Sequence, residues 1–176
     1  MTTWEYLAGE ETIERRELKW GTLVREPAPT YGHQAVVTNL AALLTNYVKA
    51  HDLGRVCVSP VDVVLDESRN LVLQPDIIFV SRDRLSILRD RVWGAPDLAV
   101  EVISPGSAGY DRGDKLRWYA DGGVREYWIV DPRARRVEVF DTTAAAPTAT
   151  AFEGDARVES RVFSGLDLRA RDVFEL

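Results

Sequence analysis

The chain has 176 residues and a mass of 19.8 kDa, long enough to bury most of the apolar surface of one mixed α/β core, and a single domain over 1–176 is expected. Hydrophobic residues at 45% and charged residues at 28% are globular values, no apolar run approaches the roughly 20 residues that span a bilayer, and the start MTTWEYLAGE lacks the basic and apolar regions of a secretory signal; the expectation is a cytoplasmic protein without membrane attachment. A net charge of −6 and a pI near 5.0 count against a protein that coats nucleic acid by phosphate attraction, and count less against a metal-dependent enzyme, whose clustered carboxylates add charge that bound cations neutralise.

Residues 15–20 and 22–26 flank Gly21 and read as a hairpin that enters the fold. From Thr30 to His51 the apolar residues Val36, Val37, Leu40, Leu43, Leu44, Tyr47 and Val48 recur at steps of three and four, with Thr30 as the N-cap, which predicts an amphipathic helix. Residues 55–65 and the apolar stretch 71–80 flank the turn residues Glu67-Ser68-Arg69-Asn70 and predict a second hairpin; the lone Cys57 lies inside the first of these strands and reads as core. Residues 82–91 suit a short surface helix, and Pro96 opens a strand over 97–103 that Ser104-Pro105-Gly106-Ser107 ends. A helix over 111–121 stops at Gly122-Gly123, strands follow at 126–130 and 136–140 around Asp131-Pro132, the segment 142–150 is an exposed loop, and the remainder adds one or two strands. The fold class is therefore mixed α/β.

Three side chains stand out along this succession. Asp76 follows Pro75 in LQPDIIFV; Glu101 lies within LAVEVI, where a carboxylate in an apolar strand is costly unless paired or metal-bound; Lys115 follows on the next helix. Alternation along the strand puts Glu101 on one face with Asp97 and Ala99, and Leu98, Val100 and Val102 on the other, so Asp97 is either an extra ligand or a strand-start cap. Two carboxylates on neighbouring strands can hold a hard divalent cation, Mg²⁺ or Mn²⁺, and leave positions for a phosphate oxygen and a water, while a lysine beside them can orient or deprotonate that water and stabilise charge. There is no Gly-rich phosphate loop, which sets nucleotide-driven phosphoryl transfer aside.

The stretches LQPDIIFV and GAPDLAVEVISPGSAGYDRGDKLRWYADGGVREYWIVDP, together with LVREPAPTYGHQAVVTNLAALL upstream, resemble the Uma-two family of putative restriction endonucleases over residues 12–140. That family belongs to the PD-(D/E)XK nuclease superfamily, so the resemblance implies a restriction-endonuclease-like core: a central mixed β-sheet flanked by helices, here with an N-terminal hairpin. It also implies that Asp76 is the aspartate of the PD element and Glu101 the second acidic ligand. Ile103 stands where the superfamily pattern places its lysine, and the family's answer, a lysine moved to the next helix, falls on Lys115. His33 and Glu26 are accessory candidates, the first for phosphate binding or proton shuttling and the second for the metal shell, although the family's own glutamate after the hairpin glycine is replaced here by Thr22. The activity implied is hydrolysis of DNA phosphodiester bonds by a Mg²⁺-dependent endonuclease, with a homodimer as one arrangement for cutting two strands; the alternative is a catalytically silent module of the same fold that binds nucleic acid or protein.

Overall fold

A computed structural model describes residues 1–9, 14–104 and 106–175. The first element is a short helix, α1 (Thr3–Leu7), closed by a reciprocal cap in which Glu5 N donates to the Thr2 hydroxyl and Thr2 N donates to the Glu5 carboxylate. Strands β1 (Arg16–Lys19) and β2 (Thr22–Arg25) then pair across a two-residue turn. Trp20 and Gly21 both take positive φ there, 53° and 83°, the turn whose twist matches that of the flanking strands.

The long helix α2 (Tyr31–Ala50) begins where expected: Thr30 caps it by accepting from His33 N at 3.3 Å. Its inner stripe of Val36, Val37, Leu40, Ala41, Leu44 and Val48 is buried in the main core.

The expected second hairpin is instead two ladders in two different sheets. Strand β3 (Gly54–Val58) pairs antiparallel with β6 (Ile77–Ser81), whereas β4 (Val63–Asp66) pairs antiparallel with β5 (Leu71–Leu73). The breaks fall opposite one another, at Ser59-Pro60 and Gln74-Pro75-Asp76. Neither proline has an N–H to give, so the ladder cannot run through, and Ser59 N donating to Asp76 O at 2.9 Å bridges the gap. Asp76 therefore stands at a bend between strands rather than within one.

A 3-10 helix, Arg82–Ile87, replaces the surface helix expected over 82–91, and β7 (Val92–Trp93) runs parallel to β4. Strand β8 (Leu98–Val102) is buried on both faces: Leu98, Val100 and Val102 pack into the core that α2 covers, and Ala99 into a second core with Tyr119, Tyr127 and Ile129. Of the turn expected after β8, Pro105 lies outside the described residues. The next helical segment, 108–122, comprises α3 (Ala108–Tyr110), a π turn (Asp111–Lys115) and α4 (Leu116–Gly122), and Gly123 ends it at φ 91°. A Cβ on Gly122 would come within 2.6 Å of Leu65, so its absence lets α4 lie close against β4.

Strands β9 (Glu126–Asp131), β10 (Arg136–Asp141) and β11 (Ala149–Glu153) complete a six-stranded sheet ordered β11-β10-β9-β8-β6-β3, with β8 and β9 parallel. The expected loop is correspondingly shorter, its last two residues belonging to β11. The other sheet has the order β2-β1-β5-β4-β7, so the N-terminal hairpin belongs to a second sheet instead of decorating one central sheet. Beyond β11 the chain adds an isolated bridge, Arg157 to Arg169, and a 3-10 helix, Ala170–Val173, that Asn39 of α2 holds through its side-chain amide. No helix among the described residues is long and apolar enough to cross a membrane.

Candidate active site

Where the two sheets approach each other, a cavity of about 300 Å³ is lined by Asp76, Glu101 and Lys115, with Arg15, Glu26 and His33 among its other walls. Each side chain arrives from a different element. Asp76 turns in from the bend before β6, and its Oδ2 accepts from Val102 N at 2.8 Å, which clamps the bend to the end of β8. Glu101 projects from β8 on the Ala99 face. Its Oε1 accepts from Lys115 Nζ at 2.7 Å and from the Tyr119 hydroxyl at 2.8 Å, both on the helical segment opposite. The π turn carries Asp111 and Lys115, both buried; such insertions recur at functional sites.

The Lys115 ammonium is the hub of the cluster. Besides Glu101 it meets Glu17 Oε1 of β1 at 3.2 Å and Asp111 Oδ1 at 3.9 Å. Burial alone would lower its pKa, but these three carboxylates hold it well above the ordinary lysine value. Glu17 is 1% exposed; it accepts from Gln74 N at 3.0 Å and pairs through Oε2 with Lys19 at 3.0 Å. Burial works against its charge, yet Lys115 and Lys19 win and hold it at about 2. Glu101 goes the other way: burial pushes its carboxyl up to about 8 against the pull of Lys115, and Asp76, Asp111 and Glu17 add to the rise. Burial likewise raises Asp111.

Asp76 is 2% exposed and fully engaged: Arg15 approaches Oδ1 at 2.9 Å, and His33 Nε2 lies 3.2 Å from Oδ2. Burial would raise its pKa, but His33, Arg15 and the Val102 N–H together hold it below the usual carboxylate range. His33 is shifted upward in turn, its bond to Asp76 outweighing burial.

Sequence reasoning thus named Asp76, Glu101, Lys115 and His33, and the structure brings the four together. Glu26 reaches the cavity rim, where it pairs with Lys19 at 3.0 Å. Asp97 does not join them: it sits at the other end of β8, about 13 Å away at strand rise, where it accepts from Ser81 N and pairs with Arg84 and Arg125. Asp111, Tyr119, Glu17 and Arg15 were not among those named. Asp111 had a signal, its spacing of four from Lys115, which reads equally well as an exposed helical ion pair. Tyr119 lies one turn beyond Lys115 and reads as packing. Glu17 and Arg15 had none, because their roles exist only once β1 is set beside β5.

A family model, Uma2, described as a putative restriction endonuclease, matches residues 3–171. Two uncharacterized proteins of Synechocystis sp., slr1290 and sll1609, are similar to the chain. The first is 27% identical over 140 residues, 77% of this chain and 71% of that one; the second is 25% identical over 143 residues, 80% of each. Among solved structures, a putative nuclease belonging to DUF820 from Anabaena variabilis aligns with a TM-score of 0.83 and 22% identity over 99% of this chain and 97% of that one, a likeness of fold.

Proposed function

The chain belongs to the Uma2 family of putative restriction endonucleases and has the restriction-endonuclease-like fold, and from that premise we propose that it hydrolyses phosphodiester bonds in DNA with a divalent cation, Mg²⁺ or Mn²⁺, held by Asp76 and Glu101. The observation that carries the reading is the excess of buried carboxylate over buried cation at an open cavity. Glu17, Asp76, Glu101 and Asp111 face Arg15, Lys115 and Lys19, and Glu101, pushed up to about 8 chiefly by burial, is raised further by Asp76, Asp111 and Glu17. An all-oxygen donor set short of positive charge suits a hard cation. Among the described residues no three carboxyl, imidazole or thiol groups converge to hold an ion by themselves, so two carboxylates would hold it and leave the rest of its shell to water and phosphate, as Mg²⁺ prefers.

When bound, such a cation supplies Lewis-acid activation of the phosphate and of the attacking water. Lys115, held protonated by three carboxylates, contributes positive charge where the attacked phosphorus accumulates negative charge, and orients the water as a donor rather than taking its proton. His33, at the cavity wall and shifted upward by Asp76, is placed to pass a proton to the departing oxygen. Glu26 orients Lys19 at the rim.

The test is incubation of supercoiled plasmid and single-stranded DNA with the protein in Mg²⁺, in Mn²⁺ and in chelator, beside Asp76→Asn, Glu101→Gln and Lys115→Met variants shown to be folded. Cation-dependent cutting by the wild type, lowered at least about 100-fold in each variant, is the expected result. One observation favours a second reading, a catalytically silent binding module: both Asp76 oxygens are already taken by Arg15, His33 and the Val102 N–H. Calorimetry separates the two, because a cation that binds wild type and Asp76→Asn equally, or binds neither, leaves the silent module as the better account.

A further inference from the structure

Tyr110 closes α3 just before the π turn and lines the same cavity as Asp76, Glu101 and Lys115. Its ring meets Trp118 edge-on at 5.6 Å, with the Lys19 ammonium 4.4 Å and the Lys115 ammonium 5.8 Å from its centre. Its hydroxyl is enclosed and forms no hydrogen bond of normal geometry among the described residues. Both neighbouring cations are ammonium groups, which only donate, so whatever they offer the phenol oxygen, the phenol proton lacks an acceptor. Enclosed O–H groups are seldom left so, because the lost water is not replaced.

We propose that Tyr110 is a substrate-contacting residue whose hydroxyl donates to a non-bridging oxygen of the phosphodiester. The identity of the anion rests on the nuclease reading. The carboxylates of Glu26, Asp76, Glu101 and Asp111 on the cavity wall repel phosphate unless a cation intervenes, whereas Tyr110 offers an uncommitted O–H donor on a ring that has two ammonium groups nearby. Burial pushes the phenol up to about 12, with Glu17 adding and Lys19 and Lys115 opposing, so the group remains a donor throughout the neutral range. A tyrosine here also keeps a phosphate oxygen at a fixed distance from the helical segment that carries Lys115.

The variant is Tyr110→Phe, which keeps the ring, its contact with Trp118 and its place under Lys19, and removes only the oxygen. Urea unfolding with and without inorganic phosphate, in Mg²⁺, is measured beside plasmid cleavage. In phosphate-free buffer the variant should be as stable as the wild type or more so, since the lost O–H satisfied nothing. Phosphate should raise the unfolding midpoint of the wild type and leave that of Tyr110→Phe unmoved. Cleavage by the variant should lose roughly 10- to 100-fold in kcat/KM, the worth of one hydrogen bond to a charged group. Equal phosphate shifts in the two proteins overturn the inference whether or not the wild type cuts DNA, and so does marked destabilisation of the variant, which would give the hydroxyl a structural partner. A Tyr110-dependent phosphate shift in a protein that cuts no DNA with any divalent cation supports the anion contact and defeats the nuclease reading instead.

Discussion

Lys115 shows how little freedom a single side chain has in this site. The residue is 5% exposed and its ammonium is shared among Glu101, Glu17 and Asp111, so replacing it by methionine leaves three carboxyl groups facing one another away from water. Removing one partner of a buried charge cluster costs roughly 3–5 kcal/mol, and Lys115→Met should lose about that much in urea unfolding carried out in chelator. Adding Glu17→Gln should restore part of the loss, because Glu17, held at about 2, is the carboxyl left charged when Lys115 is gone; a double variant no more stable than Lys115→Met would show that the cluster does not act through charge. Glu101 could be read from the sequence for the same energetic reason, since a carboxylate within an apolar stretch must have a partner, whereas Asp76 was marked by its place after Pro75 and by the family resemblance. Glu17 could not: RELK alternates like any surface hairpin, and its meeting with Gln74 N spans 57 residues that only the folded sheet brings together.

At the scale of elements, β8 is clamped at both ends by aspartates that do different work. At its end Asp76 accepts from Val102 N, and just before its start Asp97 accepts from Ser81 N and pairs with Arg84, whose guanidinium also donates to Ala95 O. Burial tends to raise Asp97, but the Ser81 N–H and Arg84 prevail and hold it below the usual range. A carboxylate depressed in the folded state contributes stability above its unfolded pKa, about 3.9, and that contribution is lost as the pH falls through the lower folded value. Asp97→Asn should therefore be about 1–3 kcal/mol less stable than the wild type at pH 7 in urea, with the gap narrowing steadily below about pH 4. A gap that persists unchanged at pH 3 would assign the loss to packing rather than to the ion pair. The strand itself was legible from Pro96 and the apolar run, and α2 from its period and Thr30. The sheet switch between β3 and β4 was not, because both strands are apolar and only the prolines at 60 and 75, each a familiar turn residue, mark where one ladder gives way to another.

The whole molecule carries a net charge of −6, and the cations nearest the cavity are already committed: Arg15 to Asp76, Lys19 to Glu17 and Glu26, Lys115 to Glu101. The mixed α/β class followed from local pattern, and the nuclease-like core from the family resemblance. The division into two sheets, with the cavity where they approach, depends on long-range pairing that no local pattern encodes. On the proposed nuclease reading, the resulting charge distribution makes the acidic balance informative about how DNA would be engaged. A protein that neutralises 6–10 phosphates loses on the order of 10³–10⁵ in affinity between about 50 and 200 mM salt, because each contact releases condensed counterions. With its site cations paired internally and, on the proposed nuclease reading, a divalent ion as the bridge to phosphate, this chain should neutralise only one or two phosphates directly. Its kcat/KM on plasmid at saturating Mg²⁺ should then fall by less than roughly tenfold over that salt range. A fall near 1,000-fold would mean that arginines elsewhere on the surface, such as Arg69, Arg82 and Arg117, leave their aspartate partners to grip the backbone, and would place DNA recognition outside the cavity.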